Sequence, residues 1–293
     1  MDIKKNLPAK QNNQLRKVGK FLKITNKLLS KSLINQEKLD WEWWSTLNNE
    51  WKTAFLFHIK KPNSIMIDNI DYLDLKEILN LKIFKFELFQ SGQMGFSSLY
   101  KVNDSDSHFL SAPLTNLEPL ARLSNLEVLV LTSCYIINIS PLRVLVNLKE
   151  LNIKSNSIED INPLKNLINL KKINIGYNEI KDISSLQGLV NLLKLNLNGN
   201  KIENTIYLTK LINLCELELV GTGITNITGF ESLINLFKLD LMHNNISCIK
   251  SLESLDNLKA LRINGNNLQN QEQLKLFKYN KEGDSFMYKI NKN

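Results

Sequence analysis

The chain has 293 residues, 43% of them apolar, which is enough to bury a substantial core in one elongated domain or two small ones. No apolar run approaches the roughly 20 residues of a membrane span, and the basic N-terminus lacks the apolar segment of a secretory signal. The formal net charge of +8 is carried by residues 1–36, so the rest of the chain is predicted to be neutral.

Residues 1–36 are predicted to form a basic amphipathic helical arm. On a helix, the apolar side chains of QLRKVGKFLKITNKLLSKSLI cover one arc. The basic side chains cover the opposite arc: Arg16, Lys17, Lys20, Lys23, Lys27 and Lys31. The apolar face could dock on the rest of the protein or pair with another protomer. It could also bind a protein partner or an anionic membrane surface, whereas no base-reading motif supports nucleic-acid binding.

Residues 37–110 are predicted to form an N-terminal cap that includes one or two degenerate repeats. All four tryptophans lie in WEWWSTLNNEW, and Trp44, Leu47, Trp51 and Phe55 recur at helical spacing. We expect a short helix whose apolar face covers the first coil of the repeats, with an aromatic ligand-binding cluster as the alternative. The segment LKIFKFELF, residues 81–89, is predicted to be a strand.

An internal repeat of 22 residues dominates residues 111–278. Asparagine followed by leucine recurs without a slip at Asn125, Asn147, Asn169, Asn191, Asn213, Asn235 and Asn257. Within each repeat, an L-x-L segment places two apolar residues on one face of a short strand. The ladder position that follows each strand is predicted to be buried and hydrogen-bonded to the turning backbone. It is occupied by Cys134, Asn156, Asn178, Asn200, Thr222, Asn244 and Asn266.

The spacing L-x-x-L-x-L-x-x-N-x-I, as in NLKELNIKSNSIEDINPLKNL, resembles the leucine-rich repeats of bacterial internalins and of phosphatase regulators. The resemblance covers about residues 114–278 and implies a protein-binding scaffold. We predict an α/β solenoid: a curved horseshoe with a parallel concave β-sheet, an irregular or 3₁₀ convex side and an α-helical N-terminal cap. Seven to nine strands would give a sheet on the order of 40 Å long.

The C-terminal segment loses the repeat pattern. Residues 268–280 are expected to close the solenoid, and residues 279–293 are expected to form a C-terminal tail without a sorting motif or anchor. The three cysteines, Cys134, Cys215 and Cys248, have no metal-ligand spacing and indicate reduced thiols. These features predict a cytoplasmic protein, unlike an internalin displayed at a cell surface.

The sequence contains no recognisable catalytic motif: no G-x-S-x-G, Walker loop, H-E-x-x-H or paired C-x-x-C. The histidines His58, His108 and His243 are far apart, and DSDSH at residues 104–108 is only a weak candidate for metal. We therefore expect a protein that is not an enzyme and that uses no cofactor, metal or small-molecule substrate.

The outward-facing strand residues of the concave sheet are the candidate partner-binding surface, because the repeat does not dictate them. This face is predicted to begin apolar, to continue through asparagines flanked by lysines, and to reach an acidic spot. The candidates are Val128, Val130, Lys172, Tyr177, Lys194, Glu216, Glu218, Val220, Lys238, Asp240, Met242, His243 and Arg262. The acidic spot would cost stability unless cations such as Lys238 and Arg262 compensate it.

Two functional hypotheses follow. The first is a non-catalytic scaffold that binds a protein partner on its concave face. The second is a peripheral membrane protein, or with less support a nucleic-acid binder, acting through the basic arm. The sequence leaves the identity of the partner open.

Overall fold

The computed structural model describes residues 9–59, 70–89, 99–103, 106–109, 114–268, 277–282 and 285–290. Side chains are described for residues 23–25, 27–56, 59, 70–85 and 114–268. Within these ranges, three helices precede a twelve-stranded sheet whose central strands come from the repeats.

The N-terminal cap contains the helices α1 (Ala9–Thr46), α2 (Asn49–Ile59) and α3 (Tyr72–Leu79). Helix α1 runs without interruption through the boundary predicted after residue 36. The Asn48 side chain accepts a hydrogen bond from Trp51 N at 3.0 Å and so caps the start of α2. Asp71 caps α3 and forms a capping box with Asp74. Short polar side chains therefore fix where the second and third helices begin.

The cap packs its aromatic face on the first strand of the sheet, β1 (Ile83–Phe89). The four residues predicted at helical spacing are all buried: Trp44, Leu47, Trp51 and Phe55. The ring centroids of Trp51 and Phe55 lie 5.7 and 5.5 Å from that of Phe84 in β1. Trp51 Nε1 also donates a hydrogen bond to Asn116 O at 2.9 Å, just before the regular repeats. The predictions of a helical cap and of a strand within residues 81–89 are confirmed, but the single short helix expected across residues 44–55 is wrong, because α1 ends at Thr46 and α2 begins at Asn49.

A buried carboxylate ties α1 to α3 and to the first repeat. Asp40 is only 3% exposed and accepts hydrogen bonds from Gln36 Nε2 at 2.8 Å, Tyr72 OH at 3.1 Å and Arg122 Nη2 at 2.5 Å. Burial of Tyr72, and then its hydrogen bond with Asp40, raise the pKa of the phenol. Since a buried charge is tolerated only with such partners, this cluster fixes how the cap sits on the repeats.

The regular repeats contribute the parallel strands of the sheet. These are β4 (Val128–Thr132), β5 (Glu150–Asn152), β6 (Lys172–Asn174), β7 (Lys194–Asn196), β8 (Glu216–Glu218), β9 (Lys238–Asp240) and β10 (Ala260–Arg262). Residues one repeat apart are paired, as Leu129 is with Leu151 and Leu151 with Ile173. Strand β1 pairs in parallel with β4, so the cap adds one more parallel strand. The predicted parallel concave sheet is confirmed.

Antiparallel strands flank the parallel sheet at both ends. At the N-terminal end, β1 pairs with β2 (Leu99–Asn103), which pairs with β3 (Asp106–Phe109). At the other end, β12 (Ser285–Ile290) pairs with β10 and with β11 (Phe277–Glu282). The sequence predicted a tail for residues 279–293, whereas residues 285–290 lie beside β10. Both outer parallel strands, β1 and β10, therefore have an antiparallel neighbour along part of their length.

The convex side consists of short 3₁₀ helices, as predicted. Those in the described residues are Glu118–Arg122, Ser140–Val144, Asn162–Leu164, Ser184–Leu186, Ile206–Lys210, Phe230–Ser232 and Lys250–Leu252. In the first three of them, a proline occupies the first turn, where its missing N–H is not needed. Leucines at every third position, such as Leu142, Leu145 and Leu148, point into the core and are fully buried.

The ladder position joins neighbouring repeats through buried amides. Asn178 Oδ1 accepts a hydrogen bond from Ile158 N at 3.1 Å, and Nδ2 donates to Ile153 O and Ile175 O at 3.1 and 3.0 Å. Thr222 keeps part of this arrangement, because its hydroxyl donates to Leu219 O at 2.9 Å. The side chain at the ladder position thus bonds to the turning backbone, as predicted.

Candidate functional site

The concave face carries ion pairs that run from strand to strand. Lys172 Nζ lies 2.6 Å from Glu150, Lys194 Nζ lies 2.5 Å from Glu216, Lys238 Nζ lies 2.6 Å from Glu218, and Arg262 Nη1 lies 2.9 Å from Asp240. The predicted acidic spot is therefore compensated within the sheet itself, with Lys238 and Arg262 in the role the sequence suggested. The concave face presents alternating, neutralised charges rather than a bare anionic patch.

Glu218 is the centre of a polar cluster on this face. Its carboxylate accepts hydrogen bonds from Lys238 Nζ at 2.6 Å, Asn196 Nδ2 at 2.6 Å and Asn198 Nδ2 at 3.2 Å. Asn198 Oδ1 in turn accepts from Val220 N at 2.7 Å. Because these bonds span β7, β8 and β9, Glu218 organises the sheet surface as well as facing outward.

Asp240 is placed differently from the other candidates. It is only 3% exposed and accepts hydrogen bonds from Arg262 Nη1 at 2.9 Å and from Met242 N at 3.2 Å. Burial raises the pKa of its carboxyl, although the Met242 amide and Arg262 act in the opposite direction. The carboxylate faces Arg262 rather than solvent, so a partner cannot reach it directly.

The N-terminal half of the concave face forms a groove of about 460 Å³. One end of its floor carries the apolar residues Val128, Val130 and Ile83, the last being 49% exposed, with Lys85 beside Val130. The other end holds the asparagines of β5, β6 and β7 between the lysine–glutamate pairs. Ile83 was missed as a candidate, although the strand predicted at residues 81–89 would have placed it beside Val128.

Two of the predicted residues, Tyr177 and His243, have left-handed backbone conformations at the ends of their strands, with φ of 55°. The equivalent position is glycine in three repeats, at Gly199, Gly221 and Gly265, also with positive φ. The Tyr177 ring is 52% exposed, and Lys154 Nζ lies 5.0 Å from its centroid. Non-glycine residues adopt a positive φ at an energetic cost. Tyr177 and His243 therefore occupy positions where glycine would be less strained.

A signal for this conformation was present in the sequence. The residue before each ladder position is Ser133, Ser155, Tyr177, Gly199, Gly221, His243 or Gly265. Glycine at this position in three of seven repeats indicates a positive φ in all of them. Aligning the repeats on the ladder position would therefore have separated Tyr177 and His243 from the other candidates.

The basic arm lies in the N-terminal part of α1. Leu28, Leu29 and Leu33 are between 56% and 65% exposed, so this part of the apolar face does not pack on the part of the chain that the structure describes. Lys23, Lys27 and Lys31 are exposed as well. The side chains of Arg16, Lys17 and Lys20 lie outside the described ones.

Other types of site have little support in the described residues. No group of three or more histidine, cysteine, aspartate or glutamate side chains in the described ranges could hold a metal ion. The side chains of DSDSH at residues 104–108 lie outside the described ones. None of the helices described is both long enough and apolar enough to cross a membrane. Cys134, Cys215 and Cys248 are free thiols.

Comparison with known families and structures also finds leucine-rich repeats, in agreement with the repeating strands of the sheet. The family model described as "Leucine Rich repeats (2 copies)" matches residues 146–188. No protein with a curated description matches the sequence.

Solved structures of similar fold include two internalins of Listeria monocytogenes. InlF is 24% identical with a TM-score of 0.61, and the match covers 76% of this chain and 58% of InlF. Internalin C2 is 24% identical with a TM-score of 0.60, and the match covers 78% of this chain and 88% of internalin C2. A leucine-rich repeat protein of Leptospira interrogans is 27% identical with a TM-score of 0.51, over 54% of this chain and 42% of that one. The chain thus spans little more than half of InlF.

Proposed function

We propose that this leucine-rich repeat protein, whose repeats are similar to those of internalins, is a non-catalytic scaffold that binds a protein partner on its concave face. The observation that carries the proposal is Tyr177, a half-exposed aromatic residue in a backbone conformation that three other repeats give to glycine. Strained, exposed residues concentrate at functional sites, and tyrosine is enriched among the residues that dominate binding energy.

The chemistry of the groove suggests what kind of partner it fits. Its lysines and glutamates neutralise each other across the strands, so long-range attraction of a charged ligand is weak. The apolar floor at Val128 and Val130 suits an aliphatic or aromatic anchor, and the asparagines of β5, β6 and β7 offer hydrogen bonds. A protein surface with one apolar side chain surrounded by polar groups matches this pattern. We place this activity in the cytoplasm.

The test replaces Tyr177 by glycine, which removes the ring and relieves the backbone. The matched control is Ser155→Gly, at the equivalent position of the preceding repeat, where φ is 57°. Tagged full-length protein would be used for affinity purification from the native cell, with quantitative mass spectrometry. We expect Tyr177→Gly to deplete a specific protein that Ser155→Gly retains. Equal recovery by both variants would contradict a role for the ring.

Charge reversal in the acidic spot is a poor test of the same idea. Asp240 is buried against Arg262, and Glu218 holds three neighbouring side chains. Reversing either charge would leave cations or amides without partners and would destabilise the sheet. Loss of binding in such variants would therefore not distinguish recognition from misfolding, whereas Tyr177→Gly does.

The exposed apolar face of α1 favours a second candidate function, peripheral binding to an anionic membrane. Leu28, Leu29 and Leu33 are exposed next to Lys23, Lys27 and Lys31, as in helices that lie in a membrane interface. We expect the full chain to co-sediment with phosphatidylserine vesicles but not with neutral ones. Leu29→Glu combined with Leu33→Glu should abolish this binding. Wild-type protein that stays in the supernatant with both vesicle types would eliminate the candidate.

A further inference from the structure

A row of exposed aliphatic side chains lies on one side of the solenoid. Its members recur in five consecutive repeats, immediately before the repeated asparagine: Val146, Ile168, Val190, Ile212 and Ile234. They are between 46% and 58% exposed. We call the side of the solenoid that bears them the lateral flank.

The repeated asparagines hold this row together. Asn191 Nδ2, for example, donates to Ile168 O at 2.9 Å, and Asn213 Nδ2 donates to Val190 O at 2.9 Å. Each aliphatic residue is thus tied to the next repeat, so the five side chains lie side by side at roughly the 4.8 Å spacing of the strands. They form a continuous strip, not five scattered residues.

The position three residues later is also apolar in two of these five repeats, whereas the other three repeats have Lys149, Lys171 and Cys215 there. Leu193 and Phe237, which are 39% and 53% exposed, extend the strip next to Val190 and Ile234. An apolar strip of this extent marks an interaction surface.

The charges beside the strip change sign along the solenoid. Three positions before the aliphatic row, the second repeat has Arg143 and the third has Lys165, both exposed. In the sixth repeat, the same position is Glu231, also exposed. The fourth and fifth repeats have the uncharged Gln187 and Thr209 there. The lateral flank is therefore basic at one end, neutral in the middle and acidic at the other.

We infer that the lateral flank is an interface between two copies of this chain, packed antiparallel about a two-fold axis at Val190. An isologous interface must be self-complementary, and an axis at the fourth of seven repeats makes this one so. It places Val146 against Ile234, Ile168 against Ile212, and Arg143 of each copy near Glu231 of the other. The opposite charges select the antiparallel arrangement over the parallel one. The concave face stays open, so the dimer is independent of the partner proposed for that face.

The first experiment measures the oligomeric state of the full chain by sedimentation equilibrium. We expect wild-type protein to dimerise reversibly, and Val190→Asp, which places two carboxylates at the axis, to weaken dimerisation by roughly a hundredfold or more. The matched control is Leu73→Asp, at an aliphatic side chain of the cap that is 74% exposed. A wild-type monomer at all concentrations, or a Val190→Asp dimer of unchanged affinity, would overturn the inference.

The second experiment tests the antiparallel register through its charges. Arg143→Glu alone and Glu231→Arg alone each place like charges together at both ends of the dimer, and each should weaken it by about tenfold or more. The double variant restores opposite charges and should recover most of the affinity. If the two single effects simply add in the double variant, the two residues do not face each other.

The third experiment separates this dimer from one formed through α1. Val190→Cys, with Cys215→Ser and Cys248→Ser to remove the accessible native thiols, should form a covalent dimer on mild oxidation, because position 190 meets its own copy at the axis. Val146→Cys in the same background should not, since it faces Ile234. Equal cross-linking at both positions, or a dimer lost only with Leu29→Glu and Leu33→Glu in α1, would refute the proposed interface.

Discussion

The ring of Tyr177 lies directly over Gly199 of the next repeat. A Cβ atom added at Gly199 would come within 2.8 Å of Tyr177 Cδ1, and Gly199 itself has a φ of 65°. His243 and Gly265 repeat the arrangement three repeats further on, with 2.6 Å between such a Cβ and His243 Nδ1. Each exposed ring is thus accommodated by the absence of a side chain in the following repeat.

This relationship predicts that Gly199→Ala destabilises the protein by about 1–3 kcal/mol, because it combines an unfavourable positive φ with a clash against the ring. Gly188→Ala is the matched control, since no atom lies within 4 Å of a Cβ built there, and its effect should be within about 0.5 kcal/mol. Urea unfolding at equilibrium measures both. Adding Tyr177→Gly to Gly199→Ala should recover part of the lost unfolding free energy. If none is recovered, the loss comes entirely from the backbone conformation at position 199 and not from a clash with the ring.

The repeat architecture could be predicted from the sequence because its signals are local and recur seven times. Leu129 and Leu131 alternate on one strand, and the same alternation returns every 22 residues. Each copy therefore repeats the evidence for the same strand, turn and buried ladder position. The burial of Trp44 and Trp51 was predicted from spacing along one helix, although the structure places the two residues on different helices, α1 and α2.

Features that depend on contacts between repeats, or on conformation, could be predicted only in part. Asp240 was expected to face outward on the concave sheet, as alternation requires, but Arg262 of the next strand covers it. The strain at Tyr177 depends on a backbone angle that no apolar pattern reports. The lateral flank was missed because Val190 and its equivalents lie outside the strand, where alternation does not apply.

The burial of the ladder position predicts that alanine substitutions of two asparagines in the same repeat lower the unfolding free energy by different amounts. Asn178→Ala removes an acceptor for Ile158 N and a donor to Ile153 O and Ile175 O, so it should cost about 2–4 kcal/mol of unfolding free energy. Asn169→Ala removes one exposed bond to Val146 O and should cost about 1 kcal/mol or less. Thermal and urea unfolding measure the loss of unfolding free energy in the two variants. Similar losses in both variants would contradict the view that burial sets the cost.

The Asp40 cluster predicts that the cap and the repeats are coupled. Asp40→Ala would leave Arg122 and Tyr72 without their shared carboxylate, and because Arg122 is partly exposed we expect a loss of about 2–3 kcal/mol. Hydrogen exchange should speed up first in the C-terminal turns of α1 and in α3. The pKa of Tyr72, raised by burial and by Asp40, should move back toward its ordinary value. Exchange that changes equally throughout the repeats would argue against a local role.

The buried carboxyl of Asp240 predicts a pH dependence that Asp240→Asn removes. Burial raises the pKa of this group in the folded state above its ordinary value of about 3.9, so the folded protein holds the proton more tightly than the unfolded one. This contribution favours folding below that pH and is lost as the pH rises from about 3.9 through the raised folded-state pKa. The unfolding free energy of wild type minus that of Asp240→Asn should therefore fall with rising pH across this window and be flat above it. Measuring both proteins by urea unfolding cancels the other carboxylates, and a difference that rises with pH would show that Arg262 outweighs burial.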